Sequence, residues 1–180
     1  MSEIRNTRNV MLEAMARHAL EHGLSAASLR PLAKAAGTSD RMLIYHFGSK
    51  DRLVDELLHF LASDLAAKLD GSLPPNRALS VHDCVTEIIG LLRSKPFHAY
   101  TRIWLDIVAK ASCGDGSHRR VGGGIIDGYT DWLEKRLPAD TPDMAGTVAL
   151  VLTVIEGTMV MDAIGRSLLA DAARERLFAC

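Results

Sequence analysis

Apolar residues recur three or four positions apart along nearly the whole chain, which is the spacing of one face of an α-helix. The clearest stripe is formed by leucines at every fourth position: Leu53, Leu57, Leu61, Leu65 and Leu69. This stripe predicts a long helix that is capped by Ser49 and ends near Asp70. No stretch shows the alternation that is typical of strands, so the pattern predicts an all-α fold.

Other stretches of helical spacing predict the rest of the bundle. Further helices are expected over residues 7–22, 125–137 and 168–178, after Ser80, and from Pro96. Thr141 followed by Pro142 predicts the start of another helix, because proline is tolerated at the first helical position. Residues 112–124 are rich in glycine and poor in apolar side chains, so they predict a loop.

Residues 28–53 are the most informative stretch, since two short helices and a glycine turn precede the long helix. Ser28 is expected to cap the first short helix through the Arg30 amide, and Gly37 marks the turn, where a left-handed conformation suits glycine. The second short helix is predicted over residues 39–46, with Leu43 and Phe47 hidden. Such a pair is too small to bury a core alone, but its second helix fits the major groove of DNA.

Motifs in this stretch follow one another in a recognisable order. They are Ala33-x-x-Ala36-Gly37-x-Ser39, Leu43-x-Tyr45-His46-Phe47 and Ser49-Lys50-x-x-Leu53, with Met11-Leu12-x-Ala14 and Gly23 upstream. Together they resemble the DNA-binding end of the TetR family of bacterial transcription regulators, over about residues 8–55. The resemblance implies a helix-turn-helix DNA-binding domain in residues 1–50 and an effector-binding and dimerisation domain in residues 51–180.

The resemblance also implies which side chains meet DNA. Family positions that hold phosphates match Tyr45, His46 and Lys50, and those that face base edges match Arg30, Asp40, Arg41 and Ile44. Ser28, the expected cap of the first short helix, and Ser39, at the start of the second, complete the predicted DNA-binding set. The chemistry agrees, because a lysine in the first turn of a helix favours anions and an arginine can pair with guanine. Asp40 can equally be an N-terminal helix charge or a partner for Arg41.

The chain departs from the family's usual pattern at several of these positions. Asp40 and Arg41 stand where the family usually has a small or basic residue followed by glycine or alanine, and Ile44 replaces an aromatic residue. These residues face the DNA groove, so the differences are expected to change which operator sequence is read and to leave the fold unchanged. His18 and Ala19 replace a Leu-Phe pair, which thins the small core of the reading domain.

The segment of residues 148–165 is apolar nearly all round, so a helix there must be buried on every side. In a chain of 180 residues a second subunit is the simplest cover, although a central helix of a monomer is the alternative. The segment also resembles the family's penultimate helix, which forms half of a four-helix dimer interface. The residues predicted to lie in this interface are Val148, Val151, Ile155, Gly157 and Met159.

Aromatic side chains at helical spacing occupy the C-terminal part of the chain. The resemblance implies a cavity there for a small-molecule effector, and the candidate lining residues are Phe97, Tyr100, Trp104, Tyr129 and Met159. The same spacing also fits plain hydrophobic core, so the lining residues stay open at this point.

Charge and composition narrow the possible functions. Residues 1–50 carry seven Lys/Arg and four Asp/Glu, a balance of +3, whereas residues 51–180 carry fourteen and eighteen, a balance of −4. Attraction to phosphate therefore belongs to the N-terminal part. The three cysteines have no metal-type spacing and fit free thiols in a reducing cytoplasm. No uninterrupted apolar run reaches 18 residues and the N-terminus lacks a signal peptide, so neither a membrane span nor secretion is expected.

These observations predict a dimeric, cytoplasmic TetR-like regulator without cofactor, metal or catalytic residues. The resemblance implies a repressor, which is the most common role in that family. It would bind a double-stranded DNA operator with two half-sites and release it when an effector binds. His18 and His22 have the spacing of a zinc pair, but no third ligand is evident nearby. The alternatives are a helical-bundle enzyme or small-molecule carrier without DNA binding, and a helical adaptor that has lost DNA binding.

Overall fold

The computed structural model describes residues 2–24 and 28–178, with the side chains of the first helix described from residue 7 onward. All regular structure in these residues is helical, which confirms the expected all-α fold. In chain order the helices are α1 (Ser2–His22), α2 (Leu29–Ala35), α3 (Asp40–Phe47), α4 (Lys50–Ser72), α5 (Val81–Leu92), α6 (His98–Ser112), α7 (Gly116–Glu134), α8 (Met144–Ala163) and α9 (Ser167–Phe178). A 3₁₀ turn over Lys95–Phe97, which contains Pro96, precedes α6.

The first three helices form a small bundle in which α2 packs against both α1 and α3. Its core contains Met15, Leu32, Leu43 and Phe47, all 2% exposed or less. Gly37 has a φ of +65° at the turn between α2 and α3, so the predicted left-handed glycine is confirmed.

The caps of α2 and α3 differ from each other. Ser39, expected as the first residue of the second short helix, is instead its N-cap and accepts a hydrogen bond from the Met42 amide at 3.3 Å. Ser28 is the N-cap residue of α2, but its side chain makes no capping hydrogen bond, and the predicted bond to the Arg30 amide is therefore wrong.

Contacts divide the chain into two compact units. The first consists of residues 1–65 and 99–125, and the second of residues 66–98 and 126–180. In the first unit Leu53, Leu57 and Leu61 of α4 are buried, as their spacing predicts. Ser49 caps α4 by accepting a hydrogen bond from the Arg52 amide at 3.2 Å.

Most of the glycine-rich segment predicted as a loop belongs to α7, so that prediction is wrong. Asp115 Oδ1 accepts hydrogen bonds from the backbone N–H groups of Ser117 and His118, at 3.0 and 3.1 Å, which caps the start of the helix. Val121 and Ile125 lie four positions apart and are both buried. A cap and an apolar face thus outweigh the entropic cost of ordering the glycines.

In the second unit α8 packs against α5 and α9. Ser80 caps α5 by accepting a hydrogen bond from the Asp83 amide at 3.0 Å, as predicted. The predicted start of α8 is wrong, because Asp143 rather than Thr141 is its cap and accepts from the Gly146 amide at 3.2 Å. Thr141 instead donates its hydroxyl to the Pro138 carbonyl at 2.7 Å.

Candidate nucleic-acid interface

Helix α3 has one buried face and one face that is open to solvent. Leu43 and Phe47 are buried, whereas Asp40, Arg41 and Tyr45 are exposed. Tyr45 is 76% exposed, which is unusual for a tyrosine that contributes to a core. The helix therefore presents two charged side chains and an aromatic hydroxyl on a rigid support.

The side chains beside this face are also accessible. Ile44 and His46 are half-buried, and the rings of Tyr45 and His46 meet edge to face with centroids 5.3 Å apart. Ser39, the cap of α3, is exposed. An imidazole and a phenol hydroxyl held together in this way can both donate hydrogen bonds to a phosphate.

The start of α4 lies one turn away from the end of α3. Gly48, with a φ of +84°, ends α3, and Lys50 is the first residue of α4 and is exposed. The first N–H groups of a helix have no partner within the helix, and its N-terminus carries partial positive charge. Lys50 and these amides therefore form a site suited to a phosphate.

The short helix α2 contributes the remaining predicted DNA contacts. Ser28 and Arg30 are both exposed at its start. Beside it runs an open groove lined by His18, His22, Arg30, Pro31, Ala33, Lys34, Ala35, Thr38 and Asp40. The rings of His18 and His22 stack with centroids 4.4 Å apart, and no group of three metal-binding side chains occurs among the described residues.

Two arginines that the sequence analysis missed hold α1 in place. Arg8 forms an ion pair with Glu56 of α4, and its guanidinium lies 4.8 Å from the centre of the Phe47 ring of α3. Arg102 of α6 donates to the Leu20 carbonyl of α1 at 2.6 Å. The partners are 48 and 82 residues apart, so no local pattern could have revealed these contacts.

The residues predicted to line an effector pocket are distributed over both compact units. Tyr100 and Trp104 belong to the first unit, and Phe97, Tyr129 and Met159 to the second. Tyr100 is buried and donates its hydroxyl to the Asp64 carboxylate, while Trp104 is half-buried. Phe97 and Met159 are buried, and burial, with a contribution from Glu156, raises the pKa of half-buried Tyr129.

The second unit also contains a cavity of about 260 Å³ that no sequence pattern predicted. Its lining combines apolar and charged residues: Leu73, Pro74, Asn76, Arg77, Ala78, Leu79, Asp83, Cys84, Glu87 and Arg136. Burial, with a contribution from Glu87, raises the pKa of the Cys84 thiol to about 11. This thiol is therefore protonated and unreactive at neutral pH.

Most of the residues predicted to form a dimer interface are already buried within one chain. Val148, Val151, Ile155 and Met159 are at most 8% exposed, because this side of α8 packs against α5 and α9. Gly157 is exposed. A partner subunit would therefore reach other sides of α8, and the first four residues belong to the core of the second unit.

Other apolar side chains of α8, its C-cap and α9 are exposed; this set, here called the α8–α9 apolar surface, consists of Leu150, Val160, Ile164, Leu168, Leu169 and Leu177. Each of these side chains is at least 41% exposed. By length and composition alone α8 could cross a membrane, and only 28% of its most apolar 18 residues is buried. A search for uninterrupted apolar runs does not detect this helix, because Glu156 interrupts the run. The mean hydropathy over 18 residues stays high in spite of Glu156.

Comparison with known proteins finds a family similarity for the N-terminal part of the chain. Residues 11–57 match the family described as bacterial regulatory proteins, tetR family. A stretch of 61 residues is 39% identical to the HTH-type transcriptional repressor KstR2 of Rhodococcus jostii, and 56 residues are 39% identical to KstR2 of Mycobacterium tuberculosis. These stretches cover 34% and 31% of this chain, and 30% and 28% of the length of the relatives.

Solved structures extend the likeness of fold over nearly the whole chain. A transcriptional regulator from Rhodococcus sp. Rha1 superposes with a TM-score of 0.69 over 95% of this chain and 93% of its own, at 20% identity. The multidrug binding protein EbrR in complex with proflavin gives a TM-score of 0.68 over 95% and 97%, at 19% identity.

Proposed function

We propose that this chain, whose residues 11–57 match the TetR family of bacterial regulators, is a DNA-binding transcription regulator that acts as a repressor. The observation that carries this proposal is the open face of α3, where Arg41 and Tyr45 are exposed above buried Leu43 and Phe47. The exposed Lys50 at the start of α4 adds a phosphate site next to it. An enzyme on the same helices is not favoured, since the relatives are regulators.

The protein would bind operator DNA through the residues inferred from the sequence. Phosphates would be held by Tyr45, His46 and Lys50, and base edges read by Arg30, Asp40, Arg41 and Ile44, with Ser28 and Ser39 at the helix starts. The exposure of Arg30, Asp40, Arg41, Tyr45 and Lys50 supports these roles. The operator would consist of two half-sites about one helical turn apart, roughly 34–36 Å.

Two half-sites require two reading domains, so we propose a cytoplasmic homodimer. The α8–α9 apolar surface supports this proposal, because exposed leucine, isoleucine and valine side chains on two helices that pack together offer apolar area that a partner can cover. Burial of α8 in a membrane is the alternative cover. It is disfavoured because Asp162 near the end of α8 forms an ion pair with Arg93 at 2.8 Å.

We further propose that a small, largely apolar molecule binds among the helices of residues 80–165 and weakens operator binding. The similar fold of EbrR, which was solved with proflavin bound, supports a ligand site in this architecture. Within the second unit, Phe97, Tyr129 and Met159 remain candidate lining residues, and the cavity beside Cys84 is another position for the molecule.

The proposed function is tested by the salt dependence of DNA binding. Lys50→Ala should weaken binding to every duplex about equally and reduce the slope of log affinity against log salt by about one unit per half-site. The matched control is Lys110→Ala, which removes an exposed lysine near the end of α6. Binding of duplex DNA is followed by fluorescence anisotropy at several salt concentrations. Equal slopes for the two variants would contradict the role of Lys50, and no binding by the wild-type protein would contradict the function.

A further inference from the structure

The end of α1, from which the chain continues to the helix-turn-helix, is held by a side chain of α6. Arg102 donates from Nη2 to the Leu20 carbonyl at 2.6 Å and to the Glu21 carbonyl at 3.4 Å. All of these residues belong to the first compact unit, which joins residues 1–65 to residues 99–125. The three DNA-reading helices and residues 99–112 of α6 therefore belong to the same compact unit.

The last carbonyls of a helix need donors from outside the helix. At the end of α1 the Ala19 carbonyl accepts from the Gly23 amide at 2.8 Å, which closes the helix locally. The carbonyls of Leu20 and Glu21 take their donor from Arg102. A guanidinium is well suited to this position, since it carries several donors and its positive charge faces the negative end of the helix dipole.

The other parts of α1 and of the supporting helices are tied as well. Arg8 joins α1 to Glu56 of α4 and lies over the Phe47 ring of α3. Helix α7 is tied to the same part of α4, because Ser117 and Arg120 bond to the Asp55 carboxylate at 2.8 and 3.1 Å. Tyr100 joins α6 to α4 by donating its hydroxyl to Asp64. The helices α4, α6 and α7 thus form a frame, and Arg102 is a contact from this frame to the C-terminal end of α1.

We infer that Arg102 is a positioning residue: its bond to the Leu20 carbonyl fixes the orientation of the DNA-reading helices and thereby the separation of half-sites that the protein accepts. This inference rests on the proposed function, including the dimer. Arg102 itself is not assigned to DNA, since its role is exercised through α1. Loss of the tie would let the reading helices pivot, leaving each one able to bind a half-site.

The expected consequence is that the protein accepts a wider range of half-site separations, while each half-site is recognised as before. Two reading domains held at fixed orientations bind both half-sites only when these lie at one separation. When the orientation is loosened, only a fraction of molecules has the competent arrangement, and the apparent affinity falls by that fraction. The same looseness makes operators with shorter or longer separations acceptable, so the profile of affinity against separation becomes broader and lower.

The test uses duplexes that the wild-type protein selects from random DNA, rebuilt with half-sites moved by one or two base pairs in either direction. Arg102→Met keeps the aliphatic stem but removes the donors, and Arg102→Lys restores one donor. The matched control is Arg119→Met, which removes an exposed guanidinium that donates to the Ala111 carbonyl at 3.4 Å and is not bonded to α1. Anisotropy titrations measure each variant on the full set and on a single half-site, and circular dichroism records thermal unfolding.

For Arg102→Met we expect the affinity for DNA at the preferred separation to fall about tenfold, and the profile of affinity against separation to become flatter. The affinity for a single half-site should stay within about twofold of that of Arg119→Met. Arg102→Lys should recover most of the narrow profile. Profiles of equal width for Arg102→Met and Arg119→Met would overturn the inference, even though DNA binding remained intact. An unfolded Arg102→Met would overturn it too, since Arg102 would then maintain the fold. A wild-type protein that selects no DNA would overturn the proposed function and the inference together.

Discussion

Arg41 and Asp40 stand side by side in the first turn of α3, and both are exposed. A carboxylate at this end of a helix is stabilised by the helix dipole, whether or not it meets a base. An arginine gains nothing from this position, because the positive end of the dipole repels it. Arg41 is therefore the better candidate for reading sequence, since a guanidinium pairs bidentately with guanine in the major groove.

The role of Arg41 predicts a specific change in sequence preference. Arg41→Ala should cost about 1–3 kcal/mol for each lost base contact and relax the preference at one position of each half-site. Selection from random DNA, followed by sequencing, gives the preferred sequence of each variant. Arg17→Ala, which removes an exposed arginine from α1, serves as the control. An unchanged preferred sequence for Arg41→Ala would show that Arg41 does not read bases.

At this scale the sequence predicts single residues well where the cause is local. The cap at Ser49 and the left-handed Gly37 follow from short-range rules and are both confirmed. The Ser28 cap is not, although the same rule predicts it. Contacts such as that of Arg8 with Glu56 depend on how distant helices meet, which no spacing of nearby residues contains.

Among the elements, a cluster of charges joins the end of α5 to α8 and α9. Arg93 donates to both oxygens of Asp162, at 2.8 and 2.9 Å, and to Asp171 at 2.8 Å. Burial opposes the ionisation of Asp162, but hydrogen bonds from Arg93 and Ser167 outweigh it and lower the pKa of this carboxyl. The pairing of Arg93 with Asp162 therefore joins the end of α5 to α8 most strongly while the Asp162 carboxylate is ionised.

The cluster makes the free energy of unfolding depend on pH. Because the pKa of Asp162 is lowered on folding, its contribution is fully present above the ordinary value of 3.8, decreases as the pH falls below that value, and is lost as the pH falls through the lowered pKa of the folded state. Arg93→Met should cost about 2 kcal/mol in the free energy of unfolding at pH 7, and clearly less at pH 3. Urea unfolding at both pH values measures the difference. Arg120→Met, which breaks an exposed pair with Asp55, should cost less than about 1 kcal/mol at pH 7.

If Arg93→Met lowers the free energy of unfolding by the same amount at pH 3 and at pH 7, the proposed role of the cluster is contradicted. Such a result would show that the arginine contributes by packing its side chain rather than by its pairing with the two carboxylates.

The two sides of α8 predict opposite results for neighbouring substitutions. Leu150 is 41% exposed on the α8–α9 apolar surface, whereas Val151 is fully buried. Leu150→Asp should therefore give folded monomers, and Val151→Asp should unfold the second unit because it buries an unpaired charge. Light scattering gives the mass and circular dichroism the fold. A wild-type mass of one chain at micromolar concentration, or a Leu150→Asp variant that still dimerises normally, would contradict the proposed dimer.

The pattern of apolar residues predicts elements better than it predicts their partners. Most helix positions follow from it, but α7 was expected to begin at Ile125 because glycines hid the short-range cap at Asp115. A helix that is apolar on every side, such as α8, gives no periodicity from which to tell the core side from the outer side. For this reason the sequence assigned Val151 and Ile155 to an interface, although one chain buries them.

For the whole molecule, the proposed switch implies that effector and operator oppose each other. A ligand weakens DNA binding only if it binds the DNA-free arrangement more tightly, and couplings of this kind are typically about 1–3 kcal/mol. We expect saturating operator to lower the affinity for the effector by the same factor by which the effector lowers the affinity for DNA. A thermal-shift screen with proflavin as the first probe, followed by titrations with and without operator, measures both factors. A ligand whose affinity is unchanged by operator would contradict the switch.

The central claim is that this chain is a dimeric regulator that reads DNA through α3. Selection of duplexes from random DNA by the purified wild-type protein tests it most directly. We predict enrichment of a sequence with two related half-sites whose centres lie about one helical turn apart, roughly 34–36 Å, since two reading domains must dock at once. Binding without any enriched sequence, or enrichment of a single unrepeated site, would contradict the account.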